Sequence, residues 1–218
     1  MVCQRNSINL TMKSLHAVIW LFLLTQVSEG IAQSIKDYYI PAPPNNHMKY
    51  YNMSPKGERV DMNGSVYYLN KGGNYDITKA QTMQGNVVSV VTLTVMFKAS
   101  EVHMIESTPT TMMETNVKRT YSPSRVLLKM PPKGESVSWT YKDQNEESVY
   151  CKASWTTITV GGKEKEAIML TKGFDGMKTK LIEYYVQGIG FFKSQMKGED
   201  TQFTYEKYDG LSHDPTVK

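Results

Sequence analysis

The chain has 218 residues, of which 40% are hydrophobic and 21% are charged, and this composition excludes a chain that is disordered throughout. Its length is sufficient for one domain of ordinary size with its own core. The formal net charge of +4 comes from 25 basic and 21 acidic residues that are interspersed along the chain. Because no basic stripe is present, we expect no nucleic-acid partner.

The first 32 residues differ in character from the rest of the chain. Basic residues precede an apolar run at 17–24, and small residues come immediately before Gln33. This order predicts a secretory signal peptide, whose translation start is either Met1 or Met12, with cleavage near Gln33. The apolar run is about half of the roughly 20 residues that a membrane anchor needs. We therefore expect an exported protein, periplasmic or secreted, with no transmembrane anchor after cleavage.

The two cysteines define the thiol chemistry of the exported chain. Cys3 is removed with the signal peptide, so Cys151 remains alone and cannot form an intrachain disulfide. A lone thiol in an oxidising compartment can be reactive, but a single cysteine in a strand is more often a small buried side chain. Cys151 alternates with Ala153 and Trp155, and we therefore predict that it is buried.

Three regions follow the signal peptide. Residues 33–47 contain three prolines in four positions, which predicts an extended lead-in that does not pack into a core. Residues 48–210 predict a single antiparallel β domain, and residues 211–218 predict a flexible tail.

Short runs rich in Val, Thr and Tyr recur along this domain and are separated by Gly, Asn and Pro. Such runs and turn signals indicate strands of an antiparallel sandwich or barrel. The predicted strands are 48–53, 65–69, 75–83, 87–97, 101–107, 125–129, 136–143, 148–160 and 166–171, then a hairpin over 180–196 and a last strand at 202–208.

The strand predicted at 148–160 changes the parity of its apolar residues. Cys151, Ala153 and Trp155 share one face, whereas Ile158 and Val160 belong to the other. We predict either a β-bulge near Thr156 and Thr157 or a strand that crosses from one packing environment to another.

The hairpin over 180–196 has Gly-Ile-Gly at its centre. A three-residue loop there places Val186 opposite Phe192 and Tyr184 on the same, mainly apolar face. A two-residue loop would instead place Lys193 opposite Tyr184, and the three-residue loop is therefore our prediction.

In this register, Tyr185 and Phe191 lie on the other, half-solvated face of the hairpin. Gly188 and Gly190 are structural residues of the loop. Gly190 is expected to adopt the left-handed conformation of a bulge, which favours glycine.

Two segments resemble a known family. One is Gly134 followed by Trp139 and Tyr141, and the other is Tyr184 to Lys193, with the sequence YYVQGIGFFK. The second resembles the Tyr-Tyr-Ala-x-Gly-Val-Gly-Leu-Val-Lys signature of exported bacterial proteins of the TapB-like kind, and the resemblance covers residues 132–196. It implies a lipoprotein-carrier-like fold, a curved antiparallel sheet around a helical plug, and it implies no catalytic residue.

Composition, strand pattern and resemblance together predict a mainly β fold, a curved antiparallel sheet or half-barrel with few or short helices. No catalytic, metal-binding or cofactor-binding motif is present, and His47, His103 and His213 stand in unlike contexts. We therefore expect no enzyme activity, no cofactor and no metal site.

The leading functional hypothesis is an exported β domain that binds an apolar or amphipathic, lipid-like ligand, or an extended peptide, on the concave face of its sheet. The candidate ligand or partner surface is formed by Trp139, Tyr141, Tyr185 and Phe191. The alternative is a structural or protein-interaction component of the bacterial envelope that has no small-molecule ligand.

Overall fold

The computed structural model describes residues 34–41, 46–53, 59–83, 86–111, 117–143, 145–198 and 202–208. These residues belong to one compact unit that begins at Ser34. The predicted signal peptide and the predicted tail at 211–218 lie outside the described residues, and both stay predictions.

The fold is mainly β and antiparallel, as predicted. The described residues contain one short helix, α1 (Ile35–Tyr39), and twelve strands of one sheet. The strands are β1 (Asn46–Met53), β2 (Arg59–Lys71), β3 (Asn74–Met83), β4 (Asn86–Lys98), β5 (Glu101–Thr111), β6 (Arg119–Lys129), β7 (Ser136–Lys142), β8 (Ser148–Val160), β9 (Lys163–Phe174), β10 (Lys180–Val186), β11 (Gly190–Lys197) and β12 (Gln202–Tyr208).

The sheet consists of two meanders that join in its middle. Its order is β6-β5-β4-β3-β2-β1-β12-β11-β10-β9-β8-β7, so the first and last strands pair with each other and β6 and β7 are the two edges. The six residues 130–135 connect these edges and can span roughly 20–25 Å. A flat sheet would separate the edges by roughly 50 Å, because neighbouring strands lie about 4.8 Å apart. The sheet must therefore curve.

The edges approach each other but do not form a backbone ladder within the described residues. Instead, the indole Nε1 of Trp139 on β7 donates a hydrogen bond to the carbonyl oxygen of Val126 on β6, at 2.8 Å. The indole of Trp155 donates likewise to the carbonyl oxygen of Pro131 in the connection, at 2.8 Å. Two tryptophan side chains thus span the gap of a curved, open sheet.

Helix α1 fills part of the concavity, and the predicted extended lead-in is wrong for this segment. Ile35 and Tyr38 are each 1% exposed and are among the most buried side chains described. The helix begins at Ser34, whose hydroxyl accepts a hydrogen bond from the backbone N–H of Lys36 at 3.2 Å, and it ends before Pro41. The helix and the residue after it pack into the sheet through four buried side chains, those of Ile35, Tyr38, Tyr39 and Ile40.

Two hydrophobic clusters lie on opposite faces of the sheet. The first joins α1 to the concave face and includes Leu170 and Tyr185, and the second includes Ala167 and Val186 on the outer face. Adjacent residues of one strand point to opposite faces, so β9 and β10 contribute to both clusters.

Strand β8 passes from the first cluster to the second. Cys151 and Ala153 belong to the concave cluster, whereas Val160 belongs to the outer one. The pairing of β8 with β9 continues without a shift from Val149 to Val160. The predicted bulge near Thr156 is therefore wrong, and the predicted crossing between packing environments is confirmed.

The predicted hairpin is present, but its register differs from the prediction. Val186 pairs with Gly190 and Tyr185 pairs with Phe191, after which a bulge shifts the ladder so that Tyr184 pairs with Lys193. Beyond the bulge the register is therefore the one expected for a two-residue loop, with Lys193 opposite Tyr184, and not the predicted one. The bulge accommodates Phe192 as an extra residue, which a uniform ladder cannot do.

The loop of the hairpin is anchored to α1. The backbone N–H of Gly188 donates to the carbonyl oxygen of Asp37 at 2.7 Å, and Gly188 has φ +74°. Gly190 has φ +75°, which confirms its predicted left-handed conformation. A Cβ atom on Gly190 would lie 3.1 Å from the carbonyl oxygen of Tyr39 and 3.3 Å from Pro41, so glycine is required there by both conformation and space.

Candidate functional site

The concave face brings together all four candidate residues. Trp139, Tyr141 and Phe191 are partly buried and pack against the concave cluster, and Tyr185 is 6% exposed within it. The predicted half-solvated position of Tyr185 is wrong, because α1 covers this part of the sheet, whereas Phe191 is partly buried. The ring of Tyr185 stacks on Tyr39 at 5.9 Å and meets the edge of Phe191 at 5.9 Å.

The helix covers only part of this face. Its ring contacts in the described part of the chain go from Tyr38 to Trp155 at 5.5 Å, and from Tyr39 to Phe97 and Tyr185. Trp139 and Tyr141 lie on the edge strand β7 and receive no ring contact from α1 there. The ring contacts of α1 therefore do not extend to β7 in the described part of the chain.

An ion pair lies on the same face. Lys172 Nζ is 2.8 Å from Glu183 Oε2, and the Tyr185 hydroxyl donates to the same oxygen at 2.9 Å. The side chains of Lys172 and Glu183 are 15% and 13% exposed, so solvent reaches the pair. Burial alone would raise the pKa of Glu183, but attraction and hydrogen bonding by Lys172, together with the bond from Tyr185, hold that pKa below its usual value.

A second lysine projects from β3 into this region. The Nζ atom of Lys79 lies 5.4 Å above the ring of Tyr39, and Lys79 forms no ion pair or hydrogen bond with another described residue. Burial lowers the pKa of Lys79, and the attraction of Glu183 opposes this only in part. The concave face therefore carries two ammonium groups, from Lys79 and Lys172, beside one carboxylate.

Phenol groups surround these charges. Burial raises the pKa of Tyr39 and of Tyr185, and the negative charge of Glu183 raises both further. Burial also raises the pKa of Tyr141, an effect that Lys172 and Arg125 partly offset. These hydroxyls therefore remain protonated at neutral pH and can act as hydrogen-bond donors.

Cys151 lies next to this region, and its predicted burial is confirmed at 3% exposure. Burial raises the pKa of its thiol to about 11, an effect that Lys172 partly offsets. In the sheet, Cys151 pairs with Trp139 on β7 and with Lys172 on β9.

We expect Cys151 to react with 5,5′-dithiobis(2-nitrobenzoic acid) at least about a hundredfold more slowly in the native protein than in denaturant at pH 8. Burial limits access, and the raised pKa keeps the native thiol protonated, whereas the thiolate is the reactive form. Stopped-flow absorbance measures both rates. Equal rates would show that the thiol is accessible and would contradict its burial.

One further polar cluster lies on β5 and β6. His103 is 7% exposed, its Nδ1 lies 3.0 Å from Ser124 Oγ and its Nε2 lies 2.7 Å from Glu101 Oε2. Lys129 Nζ lies 2.6 Å from the other oxygen of Glu101. Both ring nitrogens are thus satisfied and the carboxylate is paired, as is usual for buried polar groups.

The outer face carries an open groove of about 510 Å³ across β7, β8, β9 and β10. Tyr150 in this groove is 52% exposed, and its hydroxyl donates to Asp175 at 3.0 Å. Lys152 and Lys180 also line the groove. The groove lies across the sheet from the ion pair and is separate from it.

Metal sites and membrane-spanning helices were also considered for the described residues. These residues contain no group of three or more His, Cys, Asp or Glu side chains that could hold a metal ion. They also include no helix with the length and hydrophobicity of a membrane span.

Comparisons with known proteins give no family for this chain. No protein-family model matches it, and no curated protein matches it. The TapB-like resemblance therefore stays a prediction.

Two solved structures show a distant likeness. One is a "putative lipoprotein" from Parabacteroides distasonis, at 11% identity and a TM-score of 0.47, covering 78% of this chain and 96% of that one. The other is a "putative exported protein with YmcC-like fold" from Bacteroides fragilis, at 10% identity and a TM-score of 0.42, covering 78% of this chain and 97% of that one. Likenesses of this strength carry no argument about the activity or ligand of this chain.

Sequence reasoning missed the charged residues of the concave face. A signal was present, because each charge occupies an apolar position of its strand: Lys79 alternates with Ile77, Lys172 with Leu170, and Glu183 with Tyr185. A charge at such a position predicts a buried polar site. The partner of each charge could not be predicted, since pairing depends on the register between strands.

Proposed function

We propose that this chain is an exported, non-enzymatic β domain that binds an apolar or amphipathic ligand on the concave face of its curved sheet. The observation that supports this proposal is the lining of that face. Aromatic side chains of β7 lie beside the Glu183 and Lys172 ion pair, which solvent reaches. A face with apolar and charged parts side by side suits a molecule that has both.

The ligand would lie against Trp139 and Tyr141, where α1 makes no ring contact. The aromatic rings would contact its apolar part, and the charged residues would lie near its polar part. Tyr185 would hold the site in place without touching the ligand, because it stacks on Tyr39, meets Phe191 edge-to-face and is nearly inaccessible.

The first test uses the uncharged fluorescent probe N-phenyl-1-naphthylamine with detergent-free mature protein. We expect the probe to bind, and Tyr141→Ala to weaken its binding about tenfold, since the ring is part of the proposed contact. The matched control is Tyr150→Ala, which removes a tyrosine from the outer face of the neighbouring strand and should leave binding unchanged. Fluorescence titration gives both dissociation constants.

Absence of probe binding, or equal effects of the two substitutions, would contradict the proposal. Native mass spectrometry of the same preparation provides an independent measurement, because a co-purified lipid-like molecule would appear as added mass.

The alternative function is a protein-interaction component of the bacterial envelope without a small-molecule ligand. The outer groove, with the half-exposed Tyr150, is the observation that favours it. A defined oligomer without added mass in the native spectrum would support this alternative.

A further inference from the structure

The charged groups around Glu183 do not balance. Glu183 Oε2 accepts from both Lys172 and Tyr185, so the carboxylate is paired with one of the two lysines. Glu183 attracts Lys79 through space, but Lys79 forms no direct ion pair or hydrogen bond with another described residue. An unpaired ammonium in such surroundings is unfavourable, because burial removes hydration that no other group replaces.

Two hydroxyl groups on the same face as Lys79 also lack acceptors among the described residues. Tyr39 is 7% exposed, and its hydroxyl makes no hydrogen bond to another described residue. The same holds for the partly buried Tyr141, which lies close enough to influence the charge state of Tyr39. Buried hydroxyls in native proteins are usually hydrogen-bonded, so two open donors on the face that also carries Lys79 require an explanation.

All three groups can donate hydrogen bonds, and none has an acceptor among the residues that the structure describes. A carboxylate or phosphate supplies several acceptor oxygens and the negative charge that Lys79 lacks. The apolar cluster on the same face would at the same time contact a hydrocarbon tail.

We propose that Lys79, together with the hydroxyls of Tyr39 and Tyr141, binds the anionic head group, a carboxylate or a phosphate, of an amphipathic ligand on the concave face. This inference rests on the proposed function, which assigns such a ligand to that face without specifying its charge. The ammonium of Lys172 pairs with Glu183 and reduces the repulsion between that carboxylate and a bound anion.

The test compares ligands that share one hydrocarbon chain. Isothermal titration of the detergent-free mature protein would use decanoate, decyl phosphate, decan-1-ol and decyltrimethylammonium, each below its critical micelle concentration. We expect decanoate and decyl phosphate to bind at least about tenfold more tightly than decan-1-ol, since each has a charge-assisted interaction that the alcohol lacks. The cationic ligand should bind most weakly.

The variant Lys79→Met should remove this preference, so that decanoate and decan-1-ol bind equally. It should fold, because it replaces an unpaired ammonium with an apolar side chain of similar length, and Lys79→Gln provides a second variant of intermediate polarity. Lys152→Met, on the outer face, is the matched control and should retain the preference.

The outcomes separate the two proposals. Equal binding of all four ligands, or a preference for anions that survives in Lys79→Met, would overturn the proposal of an anionic head-group site and leave the proposed function intact. Binding of inorganic phosphate as tight as that of decyl phosphate would support the anion site. It would overturn the proposed function, because the hydrocarbon chain would then contribute nothing to binding. No binding of any decyl compound would overturn both proposals.

Discussion

The substitution Glu183→Gln is expected to lower the free energy of unfolding by about 3–5 kcal/mol at pH 7. It removes the carboxylate that pairs with Lys172 at 2.8 Å and accepts from Tyr185 at 2.9 Å. Two ammonium groups, those of Lys172 and Lys79, would then lie on the concave face without an anion. Breaking a pair in such surroundings costs more than forming it gains, because the remaining charge is poorly hydrated.

The matched control is Glu106→Gln. Glu106 pairs with Lys118 at the same distance of 2.8 Å, but the two side chains are 30% and 60% exposed. An exposed pair contributes about 0–1 kcal/mol, so the control should change stability little. Urea denaturation measures both variants, and equal losses would contradict the special role of the Glu183 pair.

The stability that Glu183→Gln loses relative to wild type should also depend on pH. The pKa of Glu183 lies below its ordinary value of 4.5 in the folded protein. A lowered carboxyl pKa contributes stability that is present above the unfolded pKa and is lost as the pH falls through the folded pKa. The difference between wild type and Glu183→Gln should therefore be full at pH 7 and should shrink as the pH falls below about 4.5. A difference that grows on acidification would contradict the assigned direction.

The second large effect is expected for Gly190→Ala, which should lower the free energy of unfolding by about 2–5 kcal/mol. A left-handed backbone at φ +75° costs a residue with a Cβ atom about 1–2 kcal/mol. The new Cβ would also lie 3.1 Å from the carbonyl oxygen of Tyr39, and such overpacking costs about 1–3 kcal/mol more.

Gly188→Ala is the matched control for this effect. Gly188 has φ +74°, so the backbone strain is the same, but no atom lies within 4 Å of the Cβ position. The control should lose only about 1–2 kcal/mol. Thermal or urea denaturation of both variants isolates the contact between the hairpin loop and α1, and equal losses would mean that the contact is not close.

Local alternation in the sequence predicted the strands well. The predicted run 202–208 coincides with β12, and the predicted run 148–160 coincides with β8. Alternation succeeds because it depends only on residues two positions apart in the same strand.

Features that depend on distant residues were harder to predict. Tyr184 and Tyr185 are identical neighbours, so composition cannot tell which one faces the core, and it is Tyr185 that Tyr39 of α1 covers. Helix α1 has only five residues, too few for a helical period, although Ser34 before it and Pro41 after it are signals for a helix start and stop.

That Trp139, Tyr141, Tyr185 and Phe191 contact a ligand stays a prediction, and the charges beside them were not predicted. Trp139 and Tyr141 were chosen as aromatic residues of one strand, and the structure places them beside charges that came from other strands. Lys79 and Glu183 are 104 positions apart in the sequence (183 − 79). No local pattern could relate them, because their proximity arises only when the two meanders join.

The joining of the two meanders has a consequence for how the chain acquires its structure. Read from the β7 edge, the strand order is 7 to 12 and then 1 to 6, so every neighbouring pair is consecutive in sequence except β12 with β1. Each half can form its hairpins as soon as its strands are available, whereas the central ladder must close a loop that includes almost the whole domain. A chain that crosses a membrane or leaves the ribosome from its amino terminus therefore exposes β1 as an unpaired edge until its last strand arrives.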